Sequence, residues 1–284
     1  MDSRIRTTTK SAANQISREA FLKKLGIAVG ATSLIVSGCN KDDDEGNGKK
    51  GGGKITMTMT AEKSVTFEIG IAGTGSITID WGDGTGKETF SLSSFDGDFY
   101  NYQDIKDKYS YKHYFGGTSS RIIITGENIT ALYYGYHSSS WPRMYLTSLD
   151  VSGCKTLTWL DCRGNALTSL DVSKNTALTW LFCSENQLTS LDVSKNTALT
   201  VLVCLNFHPY YDKLTSLDVS KNTALRWLDC EGNKLETAAL NALFGTLHSN
   251  TISGGKTIIV SKNPGTAGCN RSIAESKGWK LVWN

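Results

Sequence analysis

The sequence predicts a mainly β protein with minor α content. It reads as a β-sandwich, then a repeat solenoid, then an α/β C-terminal cap. Three observations predict this. A unit of about 21 residues recurs through the second half of the chain. The stretch before it alternates apolar and polar residues with period two. Helical spacing of apolar residues is absent from that stretch and returns at Leu235 to Phe244.

Residues 1–39 read as an export signal and stand outside the fold. Arg4, Arg6, Lys10, Arg18, Lys23 and Lys24 make a basic front. Leu25 to Ser37 is apolar but short for a membrane span. It ends in Val36-Ser37-Gly38-Cys39. Small residues just before a cysteine resemble the lipobox of bacterial lipoproteins. That resemblance implies that Cys39 is acylated and becomes the first mature residue. A plain signal peptide with an incidental cysteine is the alternative. Ser17-Arg18-Glu19-Ala20-Phe21-Leu22-Lys23 is also similar to a twin-arginine motif, but Glu19 stands where the second arginine belongs.

Residues 40–53 carry no apolar side chain, so they cannot build a core and read as a flexible acidic and Gly-rich tether. The run Asp42-Asp43-Asp44-Glu45 behind Cys39 resembles the surface-export signal of Bacteroidetes-type lipoproteins. On that resemblance the protein is an outer membrane lipoprotein of a Gram-negative bacterium facing the cell surface. A solvated linker on the periplasmic side is the alternative.

Residues 54–128 give the sandwich. Ile55 to Thr60 and Val65 to Ile69 alternate, and Ser76 to Trp81 leads into the turn Gly82-Asp83-Gly84-Thr85-Gly86. Tyr109 to Tyr114 and Arg121 to Thr125 follow. Trp81-Gly-Asp-Gly-Thr85, with His113-Tyr114 and Ile122 to Thr125, resembles the PKD-type immunoglobulin-like module. The resemblance implies a spacer or interaction role. Phe95 to Tyr102 is an acidic and aromatic insertion that departs from the family. Asp80, Asp83, Asp96 and Asp98 offer oxygens for calcium, but turn chemistry accounts for them better.

Residues 129–234 hold the repeats. LTSLDVSGCKTLTWLDCRGNA starts at Leu146, LTSLDVSKNTALTWLFCSENQ at Leu167, LTSLDVSKNTALTVLVCLN at Leu188 and LTSLDVSKNTALRWLDCEGNK at Leu214. A degenerate first copy starts at Ile129. One such unit cannot bury its apolar side alone and must stack on its neighbours. The pattern is similar to the leucine-rich repeat, in length closest to the internalin-like class. That resemblance implies one short parallel strand per copy on a concave face. It also implies that the asparagine slot of Asn165, Asn186, Asn206 and Asn233 satisfies turn backbone.

Period two sends Leu181 and Cys183 inwards. Cys162, Cys183, Cys204 and Cys230 therefore form a row of small buried hydrophobes. Their spacings of 21, 21 and 26 do not converge on a metal. Asp150, Asp171, Asp192 and Asp218 repeat too regularly for a catalytic site and fit turn capping. Residues 235–284 read as the cap: a helix from Leu235, a strand from Lys256, the turn Asn263-Pro264-Gly265, a short helix near Arg271 and a strand from Trp279.

The candidate site is the strand face opposite the buried leucines. Ala131 and Tyr133 begin it, then Trp159, Asp161 and Arg163, then Trp180, Phe182 and Ser184. Val201, Val203 and Leu205 follow, then Trp227, Asp229 and Glu231. Scaffolding does not require aromatics there, so an exposed apolar interface is expected. Self-packing or dimerisation is the alternative. The insertion His208-Pro209-Tyr210-Tyr211-Asp212 forms a possible lip or a neutral loop.

A net charge of +3 gives no reason to expect nucleic acid. The four histidines are scattered, and neither G-x-S-x-G nor H-E-x-x-H occurs. The expectation is a non-enzymatic surface lipoprotein binding a macromolecule, a protein ahead of a glycan, with no cofactor or metal. A component of a polysaccharide-capture system and a structural spacer are the alternatives.

Overall fold

The structure is a computed structural model, and it describes residues 53–61, 65–95, 109–116, 119–134, 144–207 and 213–283. The order begins with β1 (Gly53–Ala61), β2 (Val65–Gly73), β3 (Ser76–Asp80), β4 (Lys87–Ser91), β5 (Ser110–Phe115) and β6 (Ser119–Gly126). β7 (Ile129–Tyr133) and β8 (Met144–Asp150) follow. The repeats supply β9 (Trp159–Asp161), β10 (Trp180–Phe182), β11 (Val201–Val203) and β12 (Trp227–Asp229). The cap adds α1 (Thr237–Thr246), β13 (Lys256–Ile259), α2 (Ser272–Glu275) and β14 (Trp279–Val282).

Two sheets result. One has five strands in the order β4-β3-β6-β1-β8, and its pairs are antiparallel. The other has nine, in the order β14-β13-β12-β11-β10-β9-β7-β2-β5. β7 is the switch in the second sheet. It pairs antiparallel with β2 and parallel with β9. One sheet therefore runs across residues 128 and 129, through the repeats and into the cap. β8, which carries the first Leu-Thr-Ser-Leu-Asp, pairs with β1 instead.

Each repeat strand is three residues long, so register depends on one central leucine. Leu132, Leu160, Leu181, Leu202, Leu228 and Ile258 are aligned across six strands. They and Cys162, Cys183, Cys204 and Cys230 belong to a continuous core reaching from Ile55 to Trp279. The cysteines are free, and burial pushes the thiols of Cys162, Cys183, Cys204 and Cys230 up, away from thiolate chemistry.

Three-residue strands leave most of each turn's backbone to side chains. Asn186 shows how this is met. Its Nδ2 donates to the carbonyls of Cys162 (2.9 Å) and Cys183 (3.1 Å), and its Oδ1 accepts from the Leu167 N–H at 3.1 Å. Asn165 and Asn233 repeat this pattern. Asn263 extends it into the cap, a role its turn sequence did not reveal. Asn206 does not share this pattern, contrary to expectation. It follows Cys204 by two positions where the others follow their cysteine by three. Asn206 is nonetheless buried and donates to the Asn186 carbonyl at 3.0 Å, while Phe207, three positions after Cys204, is exposed.

A second ladder lies in the Ser-Lys-Asn turns. Asn175, Asn196 and Asn222 each donate twice to carbonyls of the preceding copy. The first copy has Cys154 at this slot. Its upstream neighbour is β1, and its sulfur lies 2.9 Å from where a Cβ on Gly53 would sit. An asparagine there would find no preceding turn to bond. Asp150, Asp171, Asp192 and Asp218 cap their turns as expected, each accepting from the N–H two residues on at 2.7 to 2.9 Å.

The Trp81 to Thr85 turn is also held by aspartates. Asp80 accepts from the Gly82 N–H, and Asp83 from the N–H and hydroxyl of Thr85. Gly82 has φ of 75°, and a Cβ there would lie 2.2 Å from the Arg121 carbonyl. His113 Nε2 meets Asp83 at 2.6 Å while its ring stacks on Trp81 at 4.8 Å. Burial raises the Asp83 pKa, but the bonds from Thr85 and His113 outweigh it and carry the carboxyl down to about 2. Asp96 and Asp98 lie outside the described residues.

Candidate functional site

The strand register brings the expected face together. Trp159 lies beside Trp180, with Val201 and Trp227 next along the sheet. The Trp159 and Trp180 rings stack at 4.8 Å and 19°, and Phe182 packs on Trp159 at 5.3 Å. These residues point away from the leucine core, so the period-two partition holds.

Their exposure differs from the expectation. Trp159 and Trp227 are each only 3% exposed, and Phe182, Val201, Val203 and Tyr133 are buried with them. The face is a second core and not an open apolar patch. At the Trp159 end of the face, the switch at β7 contributes to this burial. By joining β2 to the repeat strands, it brings Ala72, Tyr109 and Phe95 onto the same face. Phe95 meets Trp159 edge-on at 5.3 Å. A repeat considered alone shows none of these neighbours, which lie 50 or more positions upstream of Trp159.

The charged members are also drawn in. Asp161 is 1% exposed and is neutralised by Arg163, whose Nη2 reaches a carboxylate oxygen at 2.6 Å and whose Nε lies 2.9 and 3.0 Å from the two oxygens. The Arg163 guanidinium sits 5.0 Å over the Phe182 ring, with a third of its side chain exposed. Asp229 is buried, and its carboxylate accepts from the Glu231 N–H. Trp180, Arg163, Leu205 and Glu231 keep partial exposure.

The accessible chemistry lies at the C-terminal rim of the strands. Phe207 is 45% exposed, and its N–H donates to the Glu185 carboxylate at 2.8 Å. Lys262 places its ammonium 4.2 Å from the Phe207 ring centroid and 3.2 Å from Glu231. Lys213 donates to the Asn206 and Gly232 carbonyls at 2.9 and 2.7 Å. Phe207 and Lys213 bracket the insertion. His208, Tyr210 and Tyr211 themselves lie outside the described residues, as does Cys39. Nothing in the repeat consensus points to Phe207. The signal was available in the Cys-x-Asn spacing of the third copy, one residue shorter than its neighbours.

Among the described residues no cluster of three or more metal-ligating side chains occurs, and no helix is long and apolar enough to cross a membrane.

No family model matches the chain, and no curated protein matches it. Two solved structures from Listeria monocytogenes are similar to part of it. The functional domain of InlJ, described as including a cysteine ladder, is 30% identical over 48% of this chain and 36% of that one, with a TM-score of 0.28. The internalin InlF is 16% identical over 54% of this chain and 46% of that one, with a TM-score of 0.35. The chain thus spans less than half the length of either, and its likeness to them is confined to that part.

Proposed function

We propose that this chain is a non-enzymatic binding lipoprotein of the cell surface that engages a protein ligand through the repeat array. The observation that carries this is the rim at Phe207. There a half-exposed aromatic ring is held on a platform of Glu185, Glu231, Lys213 and Lys262, at the place where the asparagine ladder is interrupted. An ordered aromatic beside fixed charges of both signs suits the core and edge of a protein interface. Arg163 and Trp180 continue the accessible surface towards the first copies, and the tryptophan core stiffens it from beneath. Stiffness lowers the entropic cost of binding.

A binding role also fits the state of the reactive groups. The four ladder thiols are buried, His113 is bonded to Asp83, and His248 is bonded to the Leu225 carbonyl. Capture of glycans by ring stacking is less favoured, because Trp159 and Trp227 present no open ring face. The acidic tether and Cys39 place the array beyond the outer membrane on the lipoprotein reading.

Surface plasmon resonance of the mature chain against a panel of purified secreted and cell-surface proteins tests the role. Saturable binding that weakens at least about tenfold in a Phe207→Ala, Lys262→Glu double variant is expected, equivalent to the loss of one modest hot spot. Saturable protein binding that ignores this change removes the rim from the interface. For the anchor, Cys39→Ala is expected to move the protein from the membrane fraction to the soluble one.

A further inference from the structure

A second feature lies on the opposite side of the stack from the tryptophan core. Between the Leu-Thr-Ser-Leu-Asp-Val-Ser segments of the third and fourth copies there is a recess of about 280 Å³. Leu191 and Leu217 form its floor, and Ser190, Asp192, Ser216 and Asp218 stand around it, with Lys221 at one end. It sits at the joint where successive copies are 26 residues apart, against 21 for the copies before it.

The polar groups divide by what the fold asks of them. Asp192 and Asp218 each use Oδ1 to accept the N–H of the serine two residues on. The Ser194 side chain also bonds the Asp192 carboxylate, whereas the second oxygen of Asp218 makes no turn bond and is left as an acceptor. Ser190 and Ser216 are exposed, and neither hydroxyl takes part in the asparagine ladders or the aspartate turns. The same serine recurs as Ser148 and Ser169 in the other copies, although exposed positions carry no packing reason to be identical. The strand face, which has packing to satisfy, varies freely between Trp and Val.

We propose that this recess is a saccharide subsite, taking one neutral pyranose ring of a glycan. The chemistry is matched part by part. Carboxylate oxygens accept from sugar hydroxyls, serine hydroxyls both donate and accept, and Lys221 donates. The leucine floor takes the apolar C–H face of the ring. The volume is at the lower end of the range for small-molecule sites, which suits a single ring. The subsite is independent of the protein-binding rim, and the two are tested by different variants.

The test is titration of the mature chain with glucose, galactose, mannose and N-acetylglucosamine and their tetrasaccharides, followed by calorimetry. One of these is expected to bind saturably. Ser216→Phe fills the recess and is expected to abolish that binding. Asp218→Asn keeps an oxygen for the Ser220 turn and is expected to weaken binding about tenfold, while the melting temperature stays within a degree or so of wild type. Phe207→Ala, the rim change, is expected to leave saccharide binding unchanged. Absence of saturable binding by every sugar, or binding that survives Ser216→Phe, overturns the proposal. So does preferential binding of oligolysine, which would make the two aspartates a site for cationic peptide.

Discussion

The two faces of the repeat strands are built by different rules. The inner face is a row of identical residues, Leu160, Leu181, Leu202 and Leu228 backed by the four cysteines. The outer face is mixed, with Trp159, Trp180, Val201 and Trp227 in the equivalent row. Both are buried. The inner face is closed by its own repetition, because each copy meets a copy like itself. The outer face meets, at its Trp159 end, neighbours unlike itself, among them Phe95, Tyr109 and Ala72 of β2. Uniformity there would fit nothing, so the side chains vary.

The sharpest way to break this comparison is to truncate the outer face. If it is core, Trp159→Ala costs about 3–5 kcal/mol in chemical denaturation. A solvent-facing tryptophan would cost within about 0.5 kcal/mol, and that outcome would restore the open binding face. Leu181→Ala on the inner face is expected to cost about 2–5 kcal/mol, with the low end reached only if neighbouring copies collapse into the gap.

The ladders sharpen the comparison at the next level. Asn186→Ala strands the buried Leu167 N–H and two carbonyls, and is expected to cost about 1–3 kcal/mol. Asn206→Ala removes the bond to the Asn186 carbonyl at 3.0 Å, and should cost about 0.5–1.5 kcal/mol. Equal losses for the two would mean that the third copy is not the exception its spacing implies.

The smallest effect lies in the cap, where a lysine joins Asn263 in bonding turn carbonyls. Lys256 donates to the carbonyls of His248, Asn250 and Lys277, and His248 Nδ1 accepts from the Asn250 N–H. Burial lowers the His248 pKa, the bond to the Leu225 carbonyl opposes this, and the Lys256 charge lowers it further. The folded pKa is thus below the unfolded value. Stability is full above about pH 6.5 and is lost as pH falls through that value towards the folded pKa. Asp83, held at about 2, titrates far below this window. Melting temperature measured between about pH 8 and pH 5 should fall in the wild type and flatten in His248→Gln. A wild-type curve no steeper than the variant's would remove His248 as the cause.

Much of the fold was legible because its determinants are local and recur. The 21-residue period set the stack, period two assigned Leu181 and Cys183 to the core, and the aspartate turns followed from residues two positions apart. The helix α1 was visible in Leu240, Leu243 and Phe244, which are the residues it buries. Asn263 was hidden because its cap lacks the repeat consensus around it. Cys154 had no visible role because the neighbour its sulfur meets, Gly53 of β1, lies about a hundred positions upstream.

The residues alone established which side chains share a face and which atoms each turn needs. They could not say what lies against a face, since that depends on contacts far apart in the chain. β7 joined to β2 helped turn an expected apolar surface into a second core. The one-residue shortening at Cys204 and the insertion after Phe207 moved the accessible chemistry to the rim and accompanied the recess on the opposite side. Burial is a property of the assembled neighbours, and periodicity records only the direction in which a side chain points.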